Sequence, residues 1–548
     1  MSFNPILCPP ILQLDSDLLW SIFTLNADIF WEHNALTNTR LASQVCRSWR
    51  NLLLTTPSIW GKLMDLDALS EAGDDWAHEV LRRSGDALLW IKIDLSLAVP
   101  LKEFFLDILE KHWRRIQHLI VDVSSNDILA TPDRWSAFYL PAPHLETFKV
   151  HIFPVKKVLP GPQAELSIAW SKPLFANDAP MLRVFHATQY KLDLPDLMNR
   201  LSSLRIGCPF TVQEALFALQ KAPNLVYLSV DTLEGGMSDI TQRLPRVHLP
   251  KLSYFGLNAI FKVCTTLLEH LEVPSNCHLK FFPCDFLDPA DMWGDPEFLD
   301  SSFEVLSTSS ERYFRSHPSS ELHVTFHNSL GHFELKEDSH LAGLPNFQIT
   351  IHSIRFPAAL QNLILGRLAL PSFSKVTELE MSLRNGFPKE GLMSFLSSFS
   401  SCRCITFSDE GTLHDFFQNS EQPEDSCQVM LRHVDTIKFR MSFLLFRDSS
   451  LIGKNGTLHQ FLKYRRKHGC AIKMLDLRES DATLTPSLHY LEELHGLRVL
   501  WSDPRNKEVL EYECGSGFPE KLPLSFGTPS REKVQVFADR SWKYQVFF

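Results

Sequence analysis

The chain lacks any uninterrupted apolar run of the roughly 18 residues that a membrane helix needs. Its apolar N-terminus is broken by Asp15 and Asp17, and the FLLF run at Phe443 meets Arg447 and Asp448. A membrane partner is therefore not expected. A surplus of positive charge is also missing: 54 Lys plus Arg stand against 64 Asp plus Glu, a formal net charge of −10. Nucleic-acid binding draws on local excess Lys and Arg to neutralise phosphate, so no nucleic-acid partner is expected. The start, MSFNPILCPPILQ, has neither the basic n-region nor the small-residue cleavage site of a secretory signal, which leads to the expectation of a cytoplasmic or nuclear address.

Paired cysteine knuckles are absent as well. Eleven cysteines, an odd number, are scattered along the chain, which suits reduced thiols better than a disulfide framework. Cys402 with Cys404, and Cys277-His278 with Cys284, are the nearest to clusters, and neither has zinc-ligand spacing. There is no G-x-S-x-G elbow, H-E-x-x-H helix, Walker loop or G-x-G-x-x-G fingerprint. His78-Glu79 has no second His at the required step, and Gly515-Ser516-Gly517 has no third glycine in a strand-to-helix setting. The expectation is a protein without a catalytic centre, metal or other cofactor.

What is present is core material: 44% hydrophobic residues, with 12 Trp and 40 Phe. In LDSDLLWSIFTL, Leu18, Ile22 and Leu25 recur at helical spacing, Leu19 and Phe23 widen the apolar face, and Asp15 or Ser16 is placed to cap. After a polar stretch, Leu41, Val45, Trp49, Leu52 and Leu53 resume that spacing until Pro57, with Ile59 and Trp60 following as large anchors. So small a module buries little surface by itself, so its apolar face either caps the next domain or meets a partner. Periodicity alone leaves both open.

The strings LDSDLLWSIF and SQVCRSWRNLLLTTPSIW resemble the F-box motif, approximately L-P-x-E-L-L-x-x-I-F, then L-x-x-V-C-R-x-W-R, then P-x-L-W. The match is close to the large fungal F-box families and covers Leu14, Asp17 in place of Glu, Leu18, Leu19, Ile22, Phe23, Leu41, Val45, Cys46, Arg47, Trp49, Arg50, Pro57, Ile59 and Trp60. Asp15 stands where the family has Pro; Asp starts a helix by another route, accepting a backbone N–H bond. The resemblance implies docking on a Skp-family adaptor and, through it, on a cullin ubiquitin ligase of the SCF type. It also implies that Leu14, Leu18, Leu19, Ile22, Phe23, Leu41, Val45, Cys46, Trp49, Pro57, Ile59 and Trp60 form the adaptor-binding set. Cys46 and Trp49 suit packing between the module's own helices equally well.

From Leu88 a second pattern returns: apolar, two variable residues, apolar, one variable, apolar. It reads LLWIKI, IQHLIV, LETFKV, LRVFHA, LSSLRI, LVYLSV and LSYFGL, then LQNLIL at Leu360, VTELEM, CRCITF, VDTIKF, IKMLDL and a partial LRVLWS. Outside the poorly patterned stretch of about 258–359, copies lie about 16 to 38 residues apart, which overlaps the leucine-rich-repeat range. Pro143, Pro180, Pro223 and Pro250 each bar helix continuation just before a copy, and segments such as TVQEALFALQKA read as amphipathic helices between copies. The only dense basic run, Lys463 to His468, reads as a solvated helix end with Gly469 as its cap.

These patterns predict an α/β chain: a helical F-box module over 1–66, a leucine-rich-repeat-like α/β solenoid with a parallel strand ladder over 67–510, and a C-terminal cap or tail over 511–548. Period-two alternation places the variable positions on the open face of the ladder. Tyr227, Tyr254, Arg183, His186, Glu378, Glu380, Lys438 and Lys473 are the candidate target-binding residues of that face, which also carries Glu146, Thr147, Lys149, Ser229, Thr436 and Asp476. The expected function is substrate recognition for an SCF-type ligase, with an unidentified target protein as the second partner. The alternative is a repeat scaffold outside any ligase, with the F-box-like segment as a structural cap.

Overall fold

A computed structural model describes the chain between residues 14 and 522, apart from 33, 98, 125–127, 129–130, 154–172, 189, 191–194, 234–243, 284–295, 328–330, 338–345, 353–355, 385–388, 409, 421–428, 441–455, 480–487, 504–506 and 519–521. Cys284, the FLLF run and most of the tail over 511–548 thus lie outside the described residues. The protein is mixed α/β with a parallel-dominated sheet, and it divides into two compact units, Met1–Cys277 and His278–Phe548.

The first unit opens with α1 (Ser16–Asn26), α2 (Ala35–Val45), α3 (Arg47–Leu54) and α4 (Pro57–Gly61). Asp15 caps α1, its carboxylate accepting the N–H groups of Asp17 and Leu18 at 3.1 and 2.8 Å. The spacing from Leu41 to Leu53 does not run through one helix. The backbone is extended at Cys46 (φ −153°, ψ 168°), and its sulfur accepts the Trp49 N–H at 3.5 Å to cap α3. Nor does Pro57 only end a helix: it is the first residue of α4, where a missing N–H costs nothing. β1 (Met64–Asp65), α5 (Leu66–Ala72) and α6 (Asp74–Arg83) lead to the ladder proper.

That ladder runs β1, β2 (Leu89–Asp94), β3 (Ile116–Ser124), β4 (Thr147–Phe153), β5 (Val184–His186), β6 (Ser203–Ile206), β7 (Tyr227–Asp231) and β9 (Tyr254–Asn258), every neighbouring pair parallel. Parallel neighbours need crossovers. They include α7 (Lys102–His112), α8 (Pro195–Met198) and α9 (Val212–Gln220), while α10 (Phe261–His270) joins a small parallel pair, β8 (Val247–His248) with β10 (Leu271–Glu272). The recurring apolar positions explain the stacking. In IQHLIV, LETFKV, LRVFHA, LSSLRI, LVYLSV and LSYFGL all three are buried, from Ile116, Leu119 and Val121 to Leu252, Phe255 and Leu257. Each fully buried side chain of this kind is worth roughly 1.5–3 kcal/mol relative to exposure, so every added strand extends one continuous core.

The second unit holds β11 (His278–Phe281), α11 (Pro296–Ser316), β12 (Glu321–His327), β13 (His332–Glu337), β14 (Phe347–His352), α12 (Ala358–Arg367), β15 (Glu378–Arg384), α13 (Lys389–Ser397), β16 (Cys404–Phe407), α14 (Glu410–Ser420), β17 (Thr436–Phe439), α15 (Thr457–Lys467), β18 (Met474–Asp476), β19 (Arg498–Ser502) and β20 (Val509–Glu513). Strands β12, β15, β16, β17, β18 and β19 pair in parallel in that order. The poorly patterned stretch departs from this scheme, because β13 pairs antiparallel with both β12 and β14. β20 closes the far edge antiparallel to β19. One copy of the template, LQNLIL, is not a strand: it lies inside α12, where Leu360, Ile364 and Leu365 are buried at helical spacing.

The basic run of α15 is only in part a solvated helix end. Gly469 does take the left-handed conformation (φ 72°) that ends the helix, but Arg465 is 2% exposed. Its guanidinium donates to the carbonyls of Cys470, Met430, Leu431 and Val434 at 2.7–3.1 Å, tying α15 to the turn before β17. Burial pulls its pKa below the ordinary arginine value.

Candidate functional site

Two kinds of surface emerge from these elements. The first is on α1 to α3. Leu19, Phe23, Trp49 and Leu53 are buried, with Phe23 and Trp49 meeting edge to face at 5.0 Å, and they form the module's own core. Leu18, Trp20, Ile22, Leu25, Leu41, Val45 and Leu54 remain exposed, Leu25 at 75%, and Trp31 in the α1–α2 connection is exposed at 88%. Singly exposed apolar residues are ordinary; so many on three short helices are what an interaction surface presents.

The twelve residues expected to bind the adaptor therefore separate by burial. Leu18, Ile22, Leu41, Val45 and Pro57 lie on the surface, and Leu14 and Cys46 are partly covered. Leu19, Phe23, Trp49, Ile59 and Trp60 are inside, so they hold the module together and do not line its surface. Trp60, 1% exposed, donates its indole N–H to the Leu53 carbonyl at 2.7 Å and packs beneath the Arg83 guanidinium, 4.4 Å from the ring centre. The module also rests on the ladder: Phe30 stacks on Trp90 of β2 at 5.5 Å, and the Lys62 ammonium sits 4.2 Å above the same indole. Trp20, Trp31 and Leu54 are not residues that the sequence singles out, and Leu25, marked by helical spacing, is not part of the F-box pattern.

The second kind of surface is the polar face of the strands. Parallel register brings Thr147, Val184, Ser203, Tyr227 and Tyr254 into one row of the first unit, and Lys149, His186, Arg205, Ser229 and Gly256 into the next. Tyr227 and Tyr254 stack with ring centres 4.5 Å apart and planes 1° from parallel, and His186 stacks on Tyr227 at 5.3 Å. Gly256 makes room for this: a Cβ there would lie 3.1 Å from the Tyr254 ring. Arg205 binds Asp231 at 2.6 Å, and His186 contacts Ser203 Oγ at 2.7 Å. Burial, helped by Lys149 and Arg205, pushes the His186 imidazole down to about 3, so this face keeps a neutral histidine among cations. Arg183 is not on the ladder; it is exposed in the turn before β5 and reaches the Arg200 carbonyl at 3.3 Å.

In the second unit, Glu378 binds Lys438 at 2.8 Å across two strands. Glu380 takes both His323, at 2.9 Å, and Arg440, which also holds Glu479 at 2.9 Å. Lys473, like Arg183, stands at the strand entrance, exposed and 3.5 Å from Asp435. The histidine and arginine members of these clusters escape a sequence reading because they follow, or lie outside, the six-residue template. Cys402 and Cys404 are buried, and burial pushes both thiols up to about 12. No helix among the described residues is long and apolar enough to cross a membrane.

Compared with known proteins, the chain matches no family model, and no curated protein matches it.

Proposed function

We propose that this chain is the substrate-recognition subunit of an SCF-type cullin ubiquitin ligase. In this reading the N-terminal helices bind a Skp-family adaptor, and the repeat-like ladder, stacked as a solenoid, selects the protein to be modified. The chemistry of ubiquitin transfer then belongs to other subunits. One observation carries the reading: α1 to α3 bury a small core of their own and still expose Leu18, Ile22, Leu41 and Val45, four of the residues that carry the F-box resemblance. An apolar helical face of this kind suits a helix-in-groove partner.

The alternative, a scaffold whose helical segment is only a cap, is favoured by the Phe30–Trp90 stack and by Lys62 over Trp90. Co-purification separates the two. Wild-type chain should retain the Skp-family adaptor, and the Leu18→Asp, Ile22→Asp double variant should lose it with an unchanged circular dichroism spectrum, because both side chains are already in water. Absence of adaptor from wild-type material sinks the ligase reading.

A further inference from the structure

Three histidines stand in one cross-strand row of the second unit, farther along the polar strand face from His323 and Glu380. His327 ends β12, His332 begins β13 and His352 ends β14, and the antiparallel register pairs His327 with His332 and His332 with His352. Directly paired residues of adjacent strands have Cβ atoms about 4.5–5.5 Å apart on one face, so the three imidazoles are held together by backbone pairing. The Nδ1 atoms of His332 and His352 are 3.3 Å apart, with ring centres at 4.8 Å. Two nitrogens on one tetrahedral zinc, with bonds of about 2.0–2.1 Å, are separated by about 3.3 Å. The two rings make a hydrogen bond at this distance, and the same separation suits a shared metal ion.

We propose that His327, His332 and His352 form a binding site for one divalent transition-metal ion of the zinc class. His332 and His352 supply the first two ligands in place. His327, whose ring centre is 6.2 Å from that of His332 and whose Nε2 lies 3.0 Å from Ser382 Oγ, becomes the third ligand by turning about its side-chain bonds. Around the row, Phe282 packs edge-on against His352 at 5.1 Å, limiting ring movement. Glu334, one row along the same face of β13, is held by Gln348 at 2.8 Å and paired with Lys336 at 3.2 Å, so the two charges largely offset each other beside the row. Imidazole nitrogens select zinc, copper or nickel over magnesium or calcium.

A different group, Glu321, His323 and Glu380, already brings three ligand-type atoms within 4.8 Å of one another, which the histidine row does only once His327 turns. There the Arg440 guanidinium already neutralises Glu380, so an added dication would meet a fixed positive charge. Beside the histidine row, the Lys336 ammonium is instead paired with Glu334, which is not a ligand.

The test is titration of tag-free full-length protein with Zn²⁺ by calorimetry, and with Co²⁺ as a visible-absorption probe. One ion should bind the wild-type protein at this site. His332→Asn and His352→Asn, introduced separately so that a folding failure of one leaves the other, should each weaken that binding at least about tenfold. His327→Asn should weaken it and change the Co²⁺ spectrum. The proposal is overturned if wild-type protein binds no ion, if the His332→Asn, His352→Asn pair binds as wild type does, or if binding is lost in Glu321→Gln, Glu380→Gln while the row variants keep it.

Discussion

At the scale of single residues, the largest effects belong to side chains whose polar atoms are buried and fully engaged. Arg465 satisfies four backbone carbonyls from inside the second unit, so Arg465→Met leaves those acceptors without their donor. A loss of about 3 kcal/mol or more is expected, read as a lower denaturation midpoint. The next residue offers the contrast: Arg466→Ala, at an exposed position, should stay within about 0.5 kcal/mol of wild type. Trp60→Ala empties the contact among α3, α4 and α6 and should cost about 3–5 kcal/mol. Asp67 supplies a pH dependence. Burial pushes its carboxyl up to about 6, opposed by the bond from the Asp94 N–H and aided by Asp65. The folded state therefore holds this proton more tightly than the unfolded chain, whose carboxyl titrates near 4. That contribution is present below about pH 4 and is lost as pH rises through 6. Asp67→Asn should accordingly lose less stability than wild type between pH 5 and pH 7 in urea titrations; equal losses would refute the assignment.

At the scale of elements, capping and register decide more than propensity. α9 begins with a complete capping box, in which Thr211 Oγ1 accepts the Glu214 N–H at 3.3 Å and Glu214 accepts the Thr211 N–H at 3.1 Å. Thr211→Ala should cost about 1 kcal/mol, measured by denaturation, with no change in adaptor co-purification. The strand ladder was legible in the sequence because each turn repeats the same three buried positions. What the template does not contain is the partner across the sheet. The Tyr227–Tyr254 stack joins side chains 27 positions apart through parallel register, and Arg205 and Asp231 join the same face only because β6 and β7 are neighbours. LQNLIL fits the strand template as well as its neighbours do, yet it is helical, because apolar residues at i, i+4 and i+5 also line one side of a helix.

At the scale of the whole molecule, the proposed function separates two activities by surface. Under that proposal, adaptor capture would rest on exposed side chains of α1 and α2, and target choice on the polar faces of the strands. A chain carrying Leu18→Asp and Ile22→Asp should therefore keep its target while failing to deliver it. Proximity labelling in cells should recover the same protein with wild type and variant, and the target should accumulate with the variant. Loss of the target together with the adaptor would place both activities on one surface.

The sequence by itself determined much of the local order: where helices cap, as at Asp15; where the template strands lie, LQNLIL and the stretch 258–359 apart; and which residues of those strands turn inward. Those features depend on neighbours a few positions away, and periodicity records them. Tertiary structure alone decided which apolar residues of the N-terminal helices became core and which stayed in water, that Arg465 went inside, and that His327, His332 and His352 share one row. Each of those outcomes is set by the pairing of segments distant in sequence, and a pattern of period two or 3.6 marks an inward face without naming what that face will meet.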